Sequence, residues 1–193
     1  EADPAEIDAL LPENITALSN LITFKAMQFD HCGWLGGHGY KLLHMLVPVE
    51  FKGERDTVRA NFVLLCSENH ADPILAGREF TAYNKPWADI HDFKYQDGVW
   101  ESVSCGWDDP VIKLKLDTKK KLSDEAIAEI KAINELGQEG KLMNWLYWPN
   151  IDNLEAGEPY ADCAVVASPP TLGLDYPYTL MEPTIEYCAG EVQ

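Results

Sequence analysis

Stretches of strand length and strand patterning recur along this chain from residue 22 to residue 167, and only two segments carry helical patterning. A chain written this way has to fold around sheet. Residues 22–29, 43–51 and the mostly apolar 58–66 read as strands, the first two joined through Gly33, Gly36, Gly37 and Gly39. Val99, Val103, Cys105 and Trp107 alternate with Trp100, Ser102 and Ser104, and residues 111–116 alternate with lysine, which predicts two half-buried strands hinged at Asp108-Asp109-Pro110 with Lys113 and Lys115 toward solvent. Residues 142–148 and 160–167 give two more. A Pro-rich stretch over 169–183 follows, with an edge strand expected at 184–188.

The helices are short or one-sided. Asp3-Pro4 reads as a cap with proline in the first turn, and Pro12 stops that helix. Ser123 caps a second helix whose Ile127, Ile130, Ile133 and Leu136 recur at helical spacing, with Lys131 and Glu135 four apart and Gly137 or Gly140 ending it. Together these elements predict an α+β fold, an antiparallel barrel-like sheet core with a few packed helices.

With 193 residues, one domain over 1–193 is expected, since chains divide mainly above roughly 250 residues. Apolar content of 46% with 24% charged residues is ordinary for a globular chain, and mean hydropathy of -0.23 agrees. A net charge of -17 argues against nucleic acid or an anionic membrane surface as partner, because both need basic patches. The one basic run, Lys119-Lys120-Lys121, reads as a solvated turn. No apolar run reaches the roughly 20 residues that span a bilayer, so no membrane association is expected. We expect a cytoplasmic homo-oligomer, with secretion left open because the chain begins at Glu1 and carries a sequon at Asn14-Ile15-Thr16. The five cysteines lack a Cys-x-x-Cys pair, and most of them read as buried thiols in strands.

The chemistry concentrates in residues 74–86, Ile-Leu-Ala-Gly-Arg-Glu-Phe-Thr-Ala-Tyr-Asn-Lys-Pro. An apolar, strand-like run ends in Gly77-Arg78-Glu79, and Lys85 then stands between Tyr83 and Pro86-Trp87. A lysine among such groups loses solvation, which favours the neutral amine that attacks carbonyl carbon. The plain alternative is a surface lysine in a turn between strands.

This run resembles the signature of the acetoacetate decarboxylase family, in which a Gly-Arg-Glu-hydrophobic-Ser/Thr-Ala-aromatic sequence leads to the imine-forming lysine; that enzyme is itself a standard example of lysine activation. Residues 46–51 with 58–66, then 142–150 and 160–166, resemble the family's flanking strands, and residues 5–13 its early helix. The resemblance implies a catalytic Lys85, a small-molecule keto substrate and no cofactor. It also marks departures. Pro86 stands where family members usually carry a second lysine, and the family's early arginine has no counterpart. Two family glutamates correspond to Lys25 and to Tyr40 or Leu42. These differences predict a lyase acting on a keto acid or polyketone-like substrate with an aldolase, dehydratase, cyclase or decarboxylase outcome. A non-catalytic binding protein, or an acid-base cyclase or dehydratase without an imine, are the alternatives.

Other candidates are weighed against plainer roles. His31 and His38 are candidate proton-transfer groups, while their spacing with His44 and Cys32 is too loose for a metal site and no metal is expected. Arg78 and Glu79 read as an ion pair bracing the turn or as substrate contacts. Tyr83, Trp87 and Trp107 are the aromatics expected near Lys85, with core packing the plainer reading of the tryptophans. Asp108-Asp109 and Asp152 with Glu155 read as solvated turns rather than a calcium loop. No nucleophile elbow, phosphate loop or dinucleotide fingerprint is present.

Overall fold

A computed structural model of the chain describes residues 1–138, 141–152, 159, 161–167 and 188–193. Helix α1 (Pro4–Leu10) opens it, with Asp3 accepting from the Ala5 amide as the cap. Strands β1 (Ile15–Ala17), β2 (Thr23–Phe29), β3 (Tyr40–Lys52) and β4 (Thr57–Glu68) follow, a single 3-10 turn at Gly33–Leu35 lying between β2 and β3. Helix α2 (Ala71–Thr81) leads to β5 (Asp89–Ile90), β6 (Lys94–Gln96), β7 (Val99–Gly106) and β8 (Asp109–Lys121). Helix α3 (Asp124–Leu136), β9 (Leu142–Trp148), β10 (Ala161–Ala167) and β11 (Cys188–Val192) complete the described elements.

The expected α+β class is found, but the core is two open sheets rather than a barrel. One sheet runs β1-β3-β4-β9-β10, with β2 also paired to β3; the other runs β11-β8-β7-β5, with β6 paired to β7. Pairing is antiparallel except where β4 meets β9. One face of the first sheet carries the core. Val47, Val49, Ala60, Phe62 and Met143 pack there against Ile7 of α1 and Ile15. Farther along the same face, Leu43 and partly buried Ala26 meet Ala88, Ile90, Phe93, Ile112 and Leu114, which lays the second sheet over the β2 and β3 end.

Several local expectations change. The Ile74-Leu75-Ala76 run is helix, not strand: His70 caps it by accepting from the Asp72 amide, Pro73 suits the first turn, and Ala82 ends it in the left-handed conformation at φ 56°. Lys119, Lys120 and Lys121 form the exposed end of β8 rather than a turn. Lys113 is not left to water but pairs with Glu101 at 2.8 Å across the β7–β8 hairpin. The helix expected over 123–136 is α3, with the Ser123 hydroxyl accepting from the Ala126 amide. All five cysteines are free thiols; Cys66, Cys105 and Cys188 are buried and Cys163 is exposed. Gly140, Glu155, the stretch 169–183 and residues 184–187 of the expected edge strand lie outside the described residues.

Candidate active site

Strand parity assembles the site on the face of the first sheet that turns away from α1. Side chains directly opposite each other across a ladder share a face. Lys25 pairs with His44 and Met27 with Leu42 between β2 and β3; His44 pairs with Cys66 and Leu42 with Glu68 between β3 and β4. A β-bulge where Met45 and Leu46 meet β4 leaves Leu64 without a ladder partner on β3, so that Val63 opposes Leu46 and stays on the same face as Cys66. Leu46, Val63 and Cys66 form a small cluster closed by Tyr83 and Leu142.

The chain leaving α2 then lies along β4. The Cys66 amide donates to the Asn84 carbonyl, the Glu68 amide to the Pro86 carbonyl, and the Ala88 amide to the Glu68 carbonyl. Lys85 is held inward by this arrangement. Its Nζ donates to Glu68 Oε1 at 2.8 Å and to the Pro73 carbonyl at 3.0 Å, and stands 4.9 Å from the centre of the Tyr83 ring. The Lys85 side chain is 10% exposed and that of Glu68 0%, so this is a buried ion pair rather than a surface one. Removing two charges from water costs several kcal/mol each, and their attraction repays it only with good geometry and further hydrogen bonds. The Pro73 carbonyl supplies one of those bonds.

Gly77 makes room for the lysine. A β-carbon there would lie 2.5 Å from Lys85 Nζ and 2.7 Å from Cδ, closer than packed atoms come. The glycine of the Gly-Arg-Glu step is therefore a helix-interior residue without a side chain because the lysine crosses its turn.

The remaining groups facing the lysine are held uncharged. Burial first, with Cys66 and the Glu68 carboxylate adding to it, pushes the Tyr83 phenol up to about 12. Burial and then Glu68 do the same to Tyr40, also to about 12. His44, stacked on Tyr83 with ring centres 6.0 Å apart, is lowered to about 4 by burial first and then by Lys85 and Lys25. Burial and Glu68 raise the Cys66 thiol, whose Sγ lies 3.7 Å from Glu68 Oε1. Asn144 on β9 lies close enough to Tyr83 to lower its phenol a little, yet neither of its amide atoms finds a full hydrogen-bond partner.

Of the residues singled out from sequence, Lys85, Tyr83, Lys25 and Tyr40 come together on this face, Lys25 at its exposed rim. The others do not. His31 and His38 are exposed in the β2–β3 loop, and no hydrogen bond or ion pair among the described residues joins either to Lys85. Arg78 and Glu79 are exposed on α2, and no ion pair among the described residues links them, because adjacent helix positions point apart. Trp87 and Trp107 are 58% and 92% exposed, Trp107 in the β7–β8 turn with φ 53°. Glu68, His44, Cys66 and Asn144 were not singled out for this site. Glu68 had a readable signal, standing two residues after Cys66 in an apolar strand, which is inward parity.

No match was found among curated proteins. Among solved structures, the acetoacetate decarboxylase of Legionella pneumophila superposes over the whole chain with TM-score 0.70 at 17% identity, this chain spanning 67% of that one. An acetoacetate decarboxylase-like enzyme from Sphingomonas wittichii gives TM-score 0.67 at 13% identity, with 100% of this chain and 73% of that one covered. The enduracididine biosynthesis enzyme MppR complexed with pyruvate gives TM-score 0.54 at 15% identity over 77% of this chain and 60% of its own. At these identities the likeness carries the fold. The acetoacetate decarboxylase family model matches residues 1–161, most of the chain and every residue named in the Lys85 site, and the chain belongs to that family.

Proposed function

We propose that the chain is a Schiff-base lyase in which Lys85 Nζ condenses with a ketone. The observation that carries this reading is the buried amine itself, fixed between Glu68 Oε1 and the Pro73 carbonyl above the Tyr83 ring. In the reaction the ammonium passes a proton to Glu68, the amine adds to the carbonyl carbon, and the resulting carbinolamine loses its oxygen as water when a proton is returned to it. The protonated imine then accepts the electron pair of a bond broken at the neighbouring carbon. Decarboxylation, aldol cleavage or condensation, and dehydration are all reachable from that intermediate. Among the described residues Glu68 is the one buried carboxylate touching the amine, and it is the proposed proton carrier, with the neutral Tyr83, Tyr40 and His44 as hydrogen-bonding groups.

A second reading has support from the same pair. A carboxylate at 2.8 Å stabilises the ammonium, and Pro86 puts no second cation beside it, which suits a pocket that binds a carbonyl compound without turnover. Borohydride reduction in the presence of a ketone separates the two. The first reading requires a mass adduct on the peptide carrying Lys85 that Lys85→Ala abolishes; labelling spread over Lys119, Lys120 and Lys121 instead overturns it.

A further inference from the structure

Among the described residues, three buried side-chain oxygen or nitrogen atoms lack a hydrogen-bond partner, and all three lie in this site: Glu68 Oε2 and both amide atoms of Asn144. Glu68 is 0% exposed and Asn144 2%. Buried polar atoms are almost always met by protein, water or ligand, because leaving them bare forfeits hydration with nothing in return. Each of these atoms therefore describes part of what the site receives.

Imine formation makes the shortage greater. As an ammonium, Nζ has three protons and gives them to Glu68 Oε1 and the Pro73 carbonyl with one to spare. A protonated imine keeps one N–H. That donor and the Cys66 thiol, which reaches Glu68 Oε1, then face three buried acceptors, Glu68 Oε1, Glu68 Oε2 and the Pro73 oxygen. A substrate carboxylate would add two more acceptors and a second negative charge beside Glu68. A hydroxyl supplies the missing donor, and because it also accepts, it matches both halves of the Asn144 amide.

Charge points the same way. Glu68 offsets Lys85, the tyrosines, the thiol and the imidazole facing them are neutral, and Lys25, at the exposed rim, is the one further cation on this face among the described residues. A chain of net charge -17 repels anions at long range.

Building on the Schiff-base reading, we propose that the Lys85 site takes uncharged hydroxyketones, with a hydroxyl beside or one carbon beyond the carbonyl, in preference to keto acids. The hydroxyl meets Glu68 Oε2, and further hydroxyls meet Asn144.

The test compares hydroxyacetone, butanone and acetoacetate, which differ in the group that follows the ketone. Each is trapped on the full chain with borohydride, and each trapping curve is scaled to the same ketone's reaction with a free lysine peptide. Hydroxyacetone is expected to reach half-maximal Lys85 adduct at a concentration at least about tenfold lower than the other two, the size expected of one hydrogen bond to a buried charged group. Glu68→Gln should shrink that preference, and dihydroxyacetone, whose second hydroxyl is free for Asn144, should be trapped at a lower concentration still, a gain that Asn144→Leu removes and that serves alone if Glu68→Gln does not fold. Equal trapping of all three, or preference for acetoacetate, overturns the proposal and leaves the imine standing. Ligand-observed binding of the same three without reductant separates the remaining cases. Preferential hydroxyacetone binding with no adduct rejects the imine and keeps the donor preference, whereas no binding by any of them shows that the bare atoms hold water only and overturns the proposal.

Discussion

The space where a side chain of Gly77 would be is filled by the end of Lys85: a β-carbon at 77 would stand 2.5 Å from Nζ. Helix propensity and packing make opposite forecasts here. Alanine is about 1 kcal/mol better than glycine inside a helix, and Gly77 has ordinary helical backbone. Lys85 can move aside only by leaving Glu68 and Pro73. We expect Gly77→Ala to destabilise by about 1–3 kcal/mol and to suppress trapping at Lys85, measured by urea unfolding and by adduct yield. A stabilised variant would show that the lysine is free to swing.

The Glu68–Lys85 pair should be worth little as a pair and much as a partnership. Removing one member of a buried ion pair leaves an uncompensated charge and costs roughly 3–5 kcal/mol, whereas replacing both by apolar groups is often close to neutral. Glu68→Leu and Lys85→Met are each expected to destabilise in that range, and the double variant to recover to within about 1 kcal/mol of the parent. Denaturant midpoints of the four chains decide it; simple additivity would show the two groups solvated and independent.

His44 sets an acid limb. Its imidazole is lowered from 6.5 to about 4 by burial and by the Lys85 and Lys25 cations. Between those values the unfolded chain binds a proton that the folded chain refuses, so the His44 contribution is fully present above pH 6.5 and is lost as pH falls toward 4. The loss amounts to roughly 3 kcal/mol at most. His44→Phe, which keeps a ring against Tyr83, should flatten stability between pH 6.5 and 4.5 relative to the parent, read from urea midpoints across that window. Parallel curves for the two chains would assign the acid limb to carboxylates instead.

Little carbon dioxide is expected from acetoacetate. The carboxylate of that substrate would have to sit near the imine, where Glu68 already occupies the ground and, among the described residues, Lys25 alone offers a cation, at the rim. Gas release or bicarbonate assay on the purified chain measures it. Brisk, Lys85-dependent release would reverse this view of the pocket while leaving the imine in place.

How far the sequence could be read depended on what each signal was made of. The α3 stripe and its Ser123 cap are local, and they place that helix to within a residue. The Lys85 signature was equally local. By contrast α2 is hidden because Gly77 breaks a helical pattern for the sake of a lysine eight positions later, and His70 is an uncommon cap. Glu68 and Asn144 matter only because β4, β9 and the segment after α2 meet in space, and no spacing along the chain records that meeting. His31 and His38 lie exposed in the β2–β3 loop, where nearness in sequence to a glycine-rich connection says little about what a side chain faces.

The unmatched Leu64 gives β4 two reading frames. Before it, even-numbered residues such as Ala60 and Phe62 point into the hydrophobic core; after it, even-numbered Cys66 and Glu68 point to the opposite side, toward the lysine. Without that one residue the strand would present its carboxylate to the core or its phenylalanine to the pocket, because alternation allows no third arrangement. The core half and the chemical half of the strand are thus separately editable, and a relative that lacks the inserted residue has to carry any equivalent of Glu68 at an odd rather than an even offset from its core positions.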